Sequence, residues 1–164
     1  MAEKPPGRTI EEFFADIDTN KTGKVNADEY FEGVKMWRRD IVESDKASQT
    51  LLFNLADLDD DGEIDIRQFA RLMAILNKGF GKDAKSVFTT VFLLLDIHDK
   101  GKIGEKELAR LMKKMGKDLK NEEIESFLDS VDGDLDGYIT LQEFLKFFLP
   151  PQDKNTVPSN KKAE

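Results

Sequence analysis

Asp132-Gly133-Asp134-Leu135-Asp136-Gly137-Tyr138-Ile139-Thr140-Leu141-Gln142-Glu143 is the stretch on which the reading of this chain turns. Carboxylates stand at its first, third, fifth and twelfth positions, a glycine at the sixth and a β-branched aliphatic at the eighth. The same frame starts at Asp18, Asp57 and Asp96, so successive copies begin 39, 39 and 36 residues apart. The sixth position is Gly23, Gly62, Gly101 or Gly137, and the eighth is Val25, Ile64, Ile103 or Ile139. The twelfth is Glu29, Gln68, Glu107 or Glu143, followed each time by a large apolar residue: Tyr30, Phe69, Leu108 or Phe144. Self-similarity at a fixed period marks one structural unit repeated in tandem.

Outward from each copy the flanks repeat as well. Ile10, Phe13, Phe14 and Ile17 lead into the first copy, Phe88, Val91, Phe92 and Leu95 into the third, and Ile124, Phe127, Leu128 and Val131 into the fourth. Gln49, Leu52, Phe53 and Ala56 lead into the second, with Gln49 the one break in the apolar pattern. Downstream, Leu108, Leu111, Met112 and Met115 keep the same spacing, as do Leu141, Phe144, Leu145 and Phe148. Apolar residues at i, i+3, i+4 and i+7 line one face of an α-helix. The expected unit is helix, polar glycine-containing loop, helix, four times over, in an all-α fold.

Boundary signals fit this unit. Thr9-Ile10-Glu11-Glu12 is a capping box. Asp83 and Asn121 are expected N-caps, and Gly116 a C-terminal stop. Lys78-Gly79-Phe80-Gly81-Lys82 interrupts the helical pattern, which reads as a hinge at 79–83 between an N-terminal lobe, 9–78, and a C-terminal lobe, 84–149. Residues 1–8 and 150–164 are polar and proline-containing, and are expected to be disordered tails.

Composition excludes several function classes. The 164 residues carry 33 acidic against 25 basic side chains, a net charge of −8. Phosphate binding needs a basic face, so nucleic acid is not expected as the ligand. Cysteine is absent, which removes disulfides, thiolate metal sites and a thiol nucleophile. The single histidine, His98, cannot build a multi-histidine zinc site, and a Ser-His-Asp triad would depend on it alone. No phosphate-binding glycine loop is present, so no enzyme is expected. Met1-Ala2-Glu3-Lys4-Pro5-Pro6 lacks the apolar run of a signal peptide, and no glycine follows Met1. No stretch approaches the ~18 apolar residues of a membrane span. The expectation is a cytoplasmic monomer.

The spacing Asp-x-Asp/Asn-x-Asp/Asn-Gly-x5-Glu resembles the calcium loop of the EF-hand superfamily. Four copies over residues 9–149 resemble its four-hand, calmodulin-like members. The resemblance implies four helix-loop-helix hands paired into two lobes, with short β-bridges through the eighth-position aliphatics. It also implies oxygen ligands: side chains at the first, third and fifth positions, a backbone carbonyl at the seventh and a bidentate carboxylate at the twelfth.

The four loops differ in what they offer. Loop 4 meets the pattern throughout with Asp132, Asp134, Asp136, the carbonyl of Tyr138 and Glu143. Loop 1 fits with Asp18, Asn20, Thr22, the carbonyl of Lys24 and Glu29, but only Asp18 and Glu29 bring charge. Loop 2 supplies Asp57, Asp59, Asp61 and the carbonyl of Glu63, then ends in Gln68. Glutamine has one carbonyl oxygen and no charge, so the bidentate clamp is lost; Asp65 at the ninth position offers compensation through water. Magnesium, with its smaller coordination shell, feels that loss less. In loop 3, Lys100 puts an ammonium where an oxygen ligand belongs. His98 offers nitrogen, ill matched to calcium, and Gly104 offers nothing. Loop 3 is expected to be a scaffold that holds loop 4 in shape. Calcium is therefore expected in loops 1 and 4 and weakly in loop 2, with magnesium admitted in the weaker loops.

The apolar stripes serve either as core or as a groove for a target helix that opens on calcium binding. Flexible methionines favour such grooves. Here Met36, Met73, Met112 and Met115 stand against 12 phenylalanines, which make a stiffer interior. Trp37, with Tyr30, Val34 and Ile41, reads as a core stripe beside a solvated face of Lys35, Arg38 and Arg39. One good hand beside a degraded mate in each lobe favours a sensor or modulator that takes a partner helix when loaded with calcium. The alternatives are a calcium buffer without a target and a light-chain-like structural subunit.

Overall fold

Each repeat folds as two helices around a loop in the computed structural model, which describes residues 7–37, 46–78, 83–149 and 151. Hand 1 is α1 (Ile10–Ile17), β1 (Lys24–Asn26) and α2 (Ala27–Trp37). Hand 2 is α3 (Lys46–Ala56), β2 (Glu63–Asp65) and α4 (Ile66–Asn77). Hand 3 is α5 (Ala84–Leu95), β3 (Lys102–Ile103) and α6 (Glu105–Lys114), and hand 4 is α7 (Asn121–Val131), β4 (Ile139–Thr140) and α8 (Leu141–Phe148). Most of the hinge at 79–83 and the tails lies outside the described residues, as do Arg38, Arg39, Ile41 and the side chain of Trp37.

The hands pair through their loops. β1 and β2 run antiparallel with Val25 opposite Ile64, and β3 and β4 with Ile103 opposite Ile139. All four aliphatics are fully buried. A β-branched side chain suits this place, because it packs under a short extended segment that is covered by helices. Each bridge holds two loops side by side, so the geometry of one loop constrains the other.

The helix ends show which local signals hold. Thr9 caps α1 in a reciprocal box, its N–H donating to Glu12 Oε2 at 2.9 Å and its Oγ1 accepting from the Glu12 N–H at 3.2 Å. Asp83 caps α5 by accepting from the Ser86 N–H at 3.0 Å. Gly116 follows α6 at φ +76°, with N–H bonds from Gly116 to Lys113 O and from Lys117 to Met112 O closing the helix. Asn121 is not an N-cap. α7 starts one residue earlier, with Lys120 as the cap, because Glu123 Oε2 accepts the Lys120 N–H at 2.8 Å and Asn121 becomes the first helical residue.

Aromatic rings fill the interior of both pairs. Phe69 lies 5.6 Å from Phe13 and 5.4 Å from Phe14 between ring centres. Phe144 lies 5.6 Å from Phe92 and 4.6 Å from Phe148. Such tilted and edge-on contacts add to the area each ring buries. Of the methionines, Met73 and Met112 are core residues, whereas Met36 and Met115 are exposed. Gln49, the break in the apolar stripe of α3, is itself buried, and its Oε1 accepts the Tyr30 hydroxyl at 3.2 Å. The pair satisfies two polar groups inside the N-terminal core. Burial pushes the Tyr30 phenol well above its usual range, so it stays a donor.

Candidate metal centres

All four loops are built on one scaffold. The first-position aspartates, Asp18, Asp57, Asp96 and Asp132, are buried. In each, Oδ2 accepts the N–H of the sixth-position glycine, at 2.8, 2.9, 2.7 and 2.7 Å in chain order. That bond needs the chain to turn back sharply, and Gly23, Gly62, Gly101 and Gly137 take φ between +75° and +85° to do it. The fourth position is left-handed as well, at Lys21, Asp60, Asp99 and Leu135, with φ between +51° and +60°. None of these is a glycine, so residue type alone does not mark the left-handed backbone here. Loop 3 shares the scaffold in full, and differs from the others in the side chains at its third, fifth and ninth positions.

The twelfth position separates the loops. One oxygen of this side chain always accepts the N–H of the ninth residue: Asn26 to Glu29 at 3.1 Å, Asp65 to Gln68, Gly104 to Glu107 and Thr140 to Glu143 at 2.9 Å each. What the other end does is decisive. Glu29 Oε1 crosses loop 1 to accept the Thr19 N–H at 3.1 Å, the Thr19 hydroxyl at 2.8 Å and the Asn20 N–H at 3.2 Å. Glu143 Oε1 likewise accepts the Gly133 N–H at 2.9 Å. Both carboxylates therefore span their loops to the residues just after the first-position aspartate. Gln68 spends its carbonyl on Asp65, which leaves Nε2 to donate to Asp59 Oδ1 at 2.9 Å. The amide thus meets the Asp59 carboxylate with a proton.

Charge states follow from these bonds. The Thr140 N–H and hydroxyl, with the Gly133 N–H, hold Glu143 below the usual glutamate range. At Glu29 partial burial works the other way, but the Thr19 hydroxyl and the N–H groups of Asn26, Asn20 and Thr19 outweigh it and the net shift is downward. The amide of Gln68 leads the set that lowers Asp59. Asp134 is raised, chiefly by its hydrogen bond with Asp132 in a crowded acidic loop. Crowding of like charges is what a divalent cation relieves.

Among the described residues, the carboxylates of Asp132, Asp134 and Asp136 approach within 4.8 Å of one another, as do those of Asp57, Asp59 and Asp61. Asp57 Oδ1 is buried and accepts no hydrogen bond, so it is an oxygen lone pair still in need of a partner. Loop 1 gathers Asp18, Asn20 and Thr22 around the Thr22 N–H, which donates to Asp18 Oδ1 at 3.0 Å. Asn20 Oδ1 accepts the Thr22 N–H at 3.1 Å, and the Thr22 hydroxyl donates to the Lys24 carbonyl at 3.0 Å. In loop 3, His98 and Lys100 are exposed and bring no oxygen to Asp96. The donor set of loops 1, 2 and 4 is all oxygen, which fits a hard divalent cation such as calcium.

Two lysines enter the sites unannounced. Lys24 pairs with Asp61, and its Nζ lies 3.7 Å from Asp59 Oδ2, so loop 1 delivers an ammonium to the acidic cluster of loop 2. Lys102 lies 3.6 Å from Asp136 Oδ2 and 3.9 Å from the ring centre of Tyr138. Both lysines occupy the seventh position of the odd-numbered loops, next to the bridge. Spacing assigns Lys24 only a backbone carbonyl in its own loop; the lysine shared by the seventh positions of loops 1 and 3 is the one sequence signal of this contact.

Restoring the clamp in loop 2 is the direct check on this ranking. Gln68→Glu replaces the proton offered to Asp59 by a charged oxygen. Calorimetry should then record calcium binding to loop 2 roughly tenfold or more tighter, the scale by which even supporting groups change metal affinity. An unchanged isotherm would place the fault of loop 2 elsewhere, with Lys24 the next suspect.

Comparison with known proteins bears on the same residues. The family described as EF-hand domain pair matches residues 85–149, and that described as EF hand matches residues 49–73. The chain is 33% identical over 137 residues to the probable calcium-binding protein CML31 of Arabidopsis thaliana, covering 81% of this chain and 91% of the relative. It is 29% identical over 136 residues to the probable calcium-binding protein CML32 of the same plant, covering 83% and 91%. Helix-loop-helix hands paired by β-bridges, with oxygen ligands in the loops, define a calcium-binding protein class. This chain belongs to the EF-hand superfamily, among its calmodulin-like calcium-binding proteins.

Proposed function

We propose that the chain is a calcium sensor or modulator of the cytosol, with calcium held in loops 1 and 4, more weakly in loop 2 and not in loop 3. One observation carries the ranking: Glu29 and Glu143 reach across their loops as carboxylates, whereas Gln68 turns an amide N–H on Asp59. Magnesium competes best in loop 2, where the bidentate clamp is missing. The chain acts by binding rather than by catalysis, since metal ligation accounts for its clustered acids.

A sensor reading is supported by the pairing of a strong hand with a weak one in each half, which lets occupancy of one loop be felt by its neighbour through the bridge. The exposed Met115 and Phe147 offer apolar surface on the C-terminal half to a partner helix. A buffer is the second reading, favoured by the burial of Met73 and Met112. Titration with calcium in the presence of an apolar-surface fluorophore separates the two. A sensor raises the fluorescence severalfold as loops 1 and 4 fill; a buffer leaves it flat while calorimetry records the same binding.

A further inference from the structure

Hands 2 and 3 carry residues at their shared repeat positions that hands 1 and 4 do not. Arg71 and Arg110 occupy the same place in repeats 2 and 3, where repeats 1 and 4 have Glu32 and Lys146. Leu55 and Leu94 likewise share one place, where repeats 1 and 4 have Asp16 and Ser130. Leu55 and Leu94 are fully buried, whereas Asp16, Ser130, Glu32 and Lys146 are exposed. An apolar residue on the polar side of an otherwise amphipathic helix has to be covered by something.

Each half covers the other. Arg71, on α4, donates from Nη2 to Leu93 O at 2.7 Å and Asp96 O at 3.1 Å, and from Nη1 to Leu94 O at 3.2 Å. Arg110, on α6, donates from Nη2 to Leu55 O, and to Asp57 O at 3.3 Å. The exchange is reciprocal: each guanidinium caps the C-terminal end of the helix entering the other hand, and reaches the carbonyl of the first residue of its loop. Helix C-terminal carbonyls lack intrahelical partners and carry the negative end of the helix dipole, so a cationic fork is the group that suits them. Lys113 and Lys114 add to one side, with Lys113 Nζ 3.2 Å from Asp60 Oδ2, Lys114 paired to the same carboxylate, and Lys114 Nζ 3.4 Å from Asp57 O.

We propose that hand 3, whose loop lacks a ligand set, is the intramolecular docking partner of hand 2, and that Arg71, Arg110, Leu55 and Leu94 join the two EF-hand pairs into one body. The surface is self-complementary, with the pseudo-twofold logic of an isologous interface run within one chain. It gives the metal-poor loop 3 a task besides bracing loop 4, and it withholds the hand 2–hand 3 face from any outside helix. The docking adds to the calcium reading without depending on it.

A zero-length carbodiimide cross-link between Asp60 and Lys113 or Lys114, mapped by mass spectrometry on the monomeric full-length chain, reads the docking directly. The wild type should give this link within one chain, both in calcium and in chelator. Leu55→Asp with Leu94→Ser, which install the residues of hands 1 and 4, should cut its yield at least tenfold and enlarge the radius of gyration in solution scattering. Arg71→Gln with Arg110→Gln should do so more mildly. Parent-like helical circular dichroism and a cooperative melt show that a variant is folded. Absence of the link in the wild type, or its full retention in a folded Leu55→Asp/Leu94→Ser variant, overturns the proposal. If both variants fail to fold, the wild-type link alone decides it. Calorimetry that fails to find calcium would defeat the calcium reading and leave the docking result standing.

Discussion

Glu143→Gln is expected to remove tight calcium binding from loop 4, weakening that site by about a hundredfold or more. Supporting groups around a metal change affinity by about 10–100-fold, and a ligand that grips the ion with two oxygens should exceed that range. The protein contains its own precedent. In loop 2 the ninth-position N–H takes the single carbonyl of Gln68, and the remaining NH2 turns toward Asp59. A glutamine at 143 would meet the Thr140 N–H in the same way and direct its amide into Asp132, Asp134 and Asp136. The charge lost is the one best placed to balance the ion from the far side of the loop. Calorimetry of the variant should show one fewer tight site, with loop 1 the strongest left. An isotherm equal to the parent's would mean that Glu143 is not a ligand.

Calcium should also stabilise the fold, by about 4 kcal/mol at a thousandfold excess over the dissociation constant. For a unit of this size that corresponds to a rise in Tm of about 8–16 °C. The source is visible in loop 4, where Asp134 is driven toward its protonated form by Asp132 and its neighbours. A divalent cation converts that repulsion into attraction. If hands 2 and 3 dock, the rise should appear as one transition that moves as a whole. A scan in excess chelator that matches the scan in calcium would contradict both the site assignment and its coupling to folding.

The repeat frame made most of this architecture legible in the sequence. Period and glycine predicted the loops, because each answers to a local backbone need, and the bridges followed from the family resemblance. That Gln68 has only one oxygen to offer was legible for the same reason: it follows from the side chain's own atoms. What stayed hidden was contact between segments that only the fold brings together. Gln49 looked like a flaw in an apolar stripe until Tyr30 supplied a hydroxyl from the other hand. Lys120 displaced Asn121 as a cap because Glu123 satisfies the cap N–H whatever the side chain of the cap residue. Lys24 and Lys102 belong by spacing to one loop and by contact to the next. Arg71 and Arg110 stand in step with the repeat, but helical periodicity carries no sign of the carbonyls they reach across the molecule.

The loop ranking is tested most directly by following the four loop glycines in amide NMR during a calcium titration. Gly23, Gly62, Gly101 and Gly137 each donate an N–H to the first-position aspartate of their own loop. A cation on that aspartate changes the bond, so each glycine reports one site. Gly23 and Gly137 should shift first and saturate, Gly62 should follow at higher calcium, and Gly101 should move only slightly, through its bridge to loop 4. A full early shift of Gly101, or a titration that leaves Gly23 and Gly137 in place, would contradict the account.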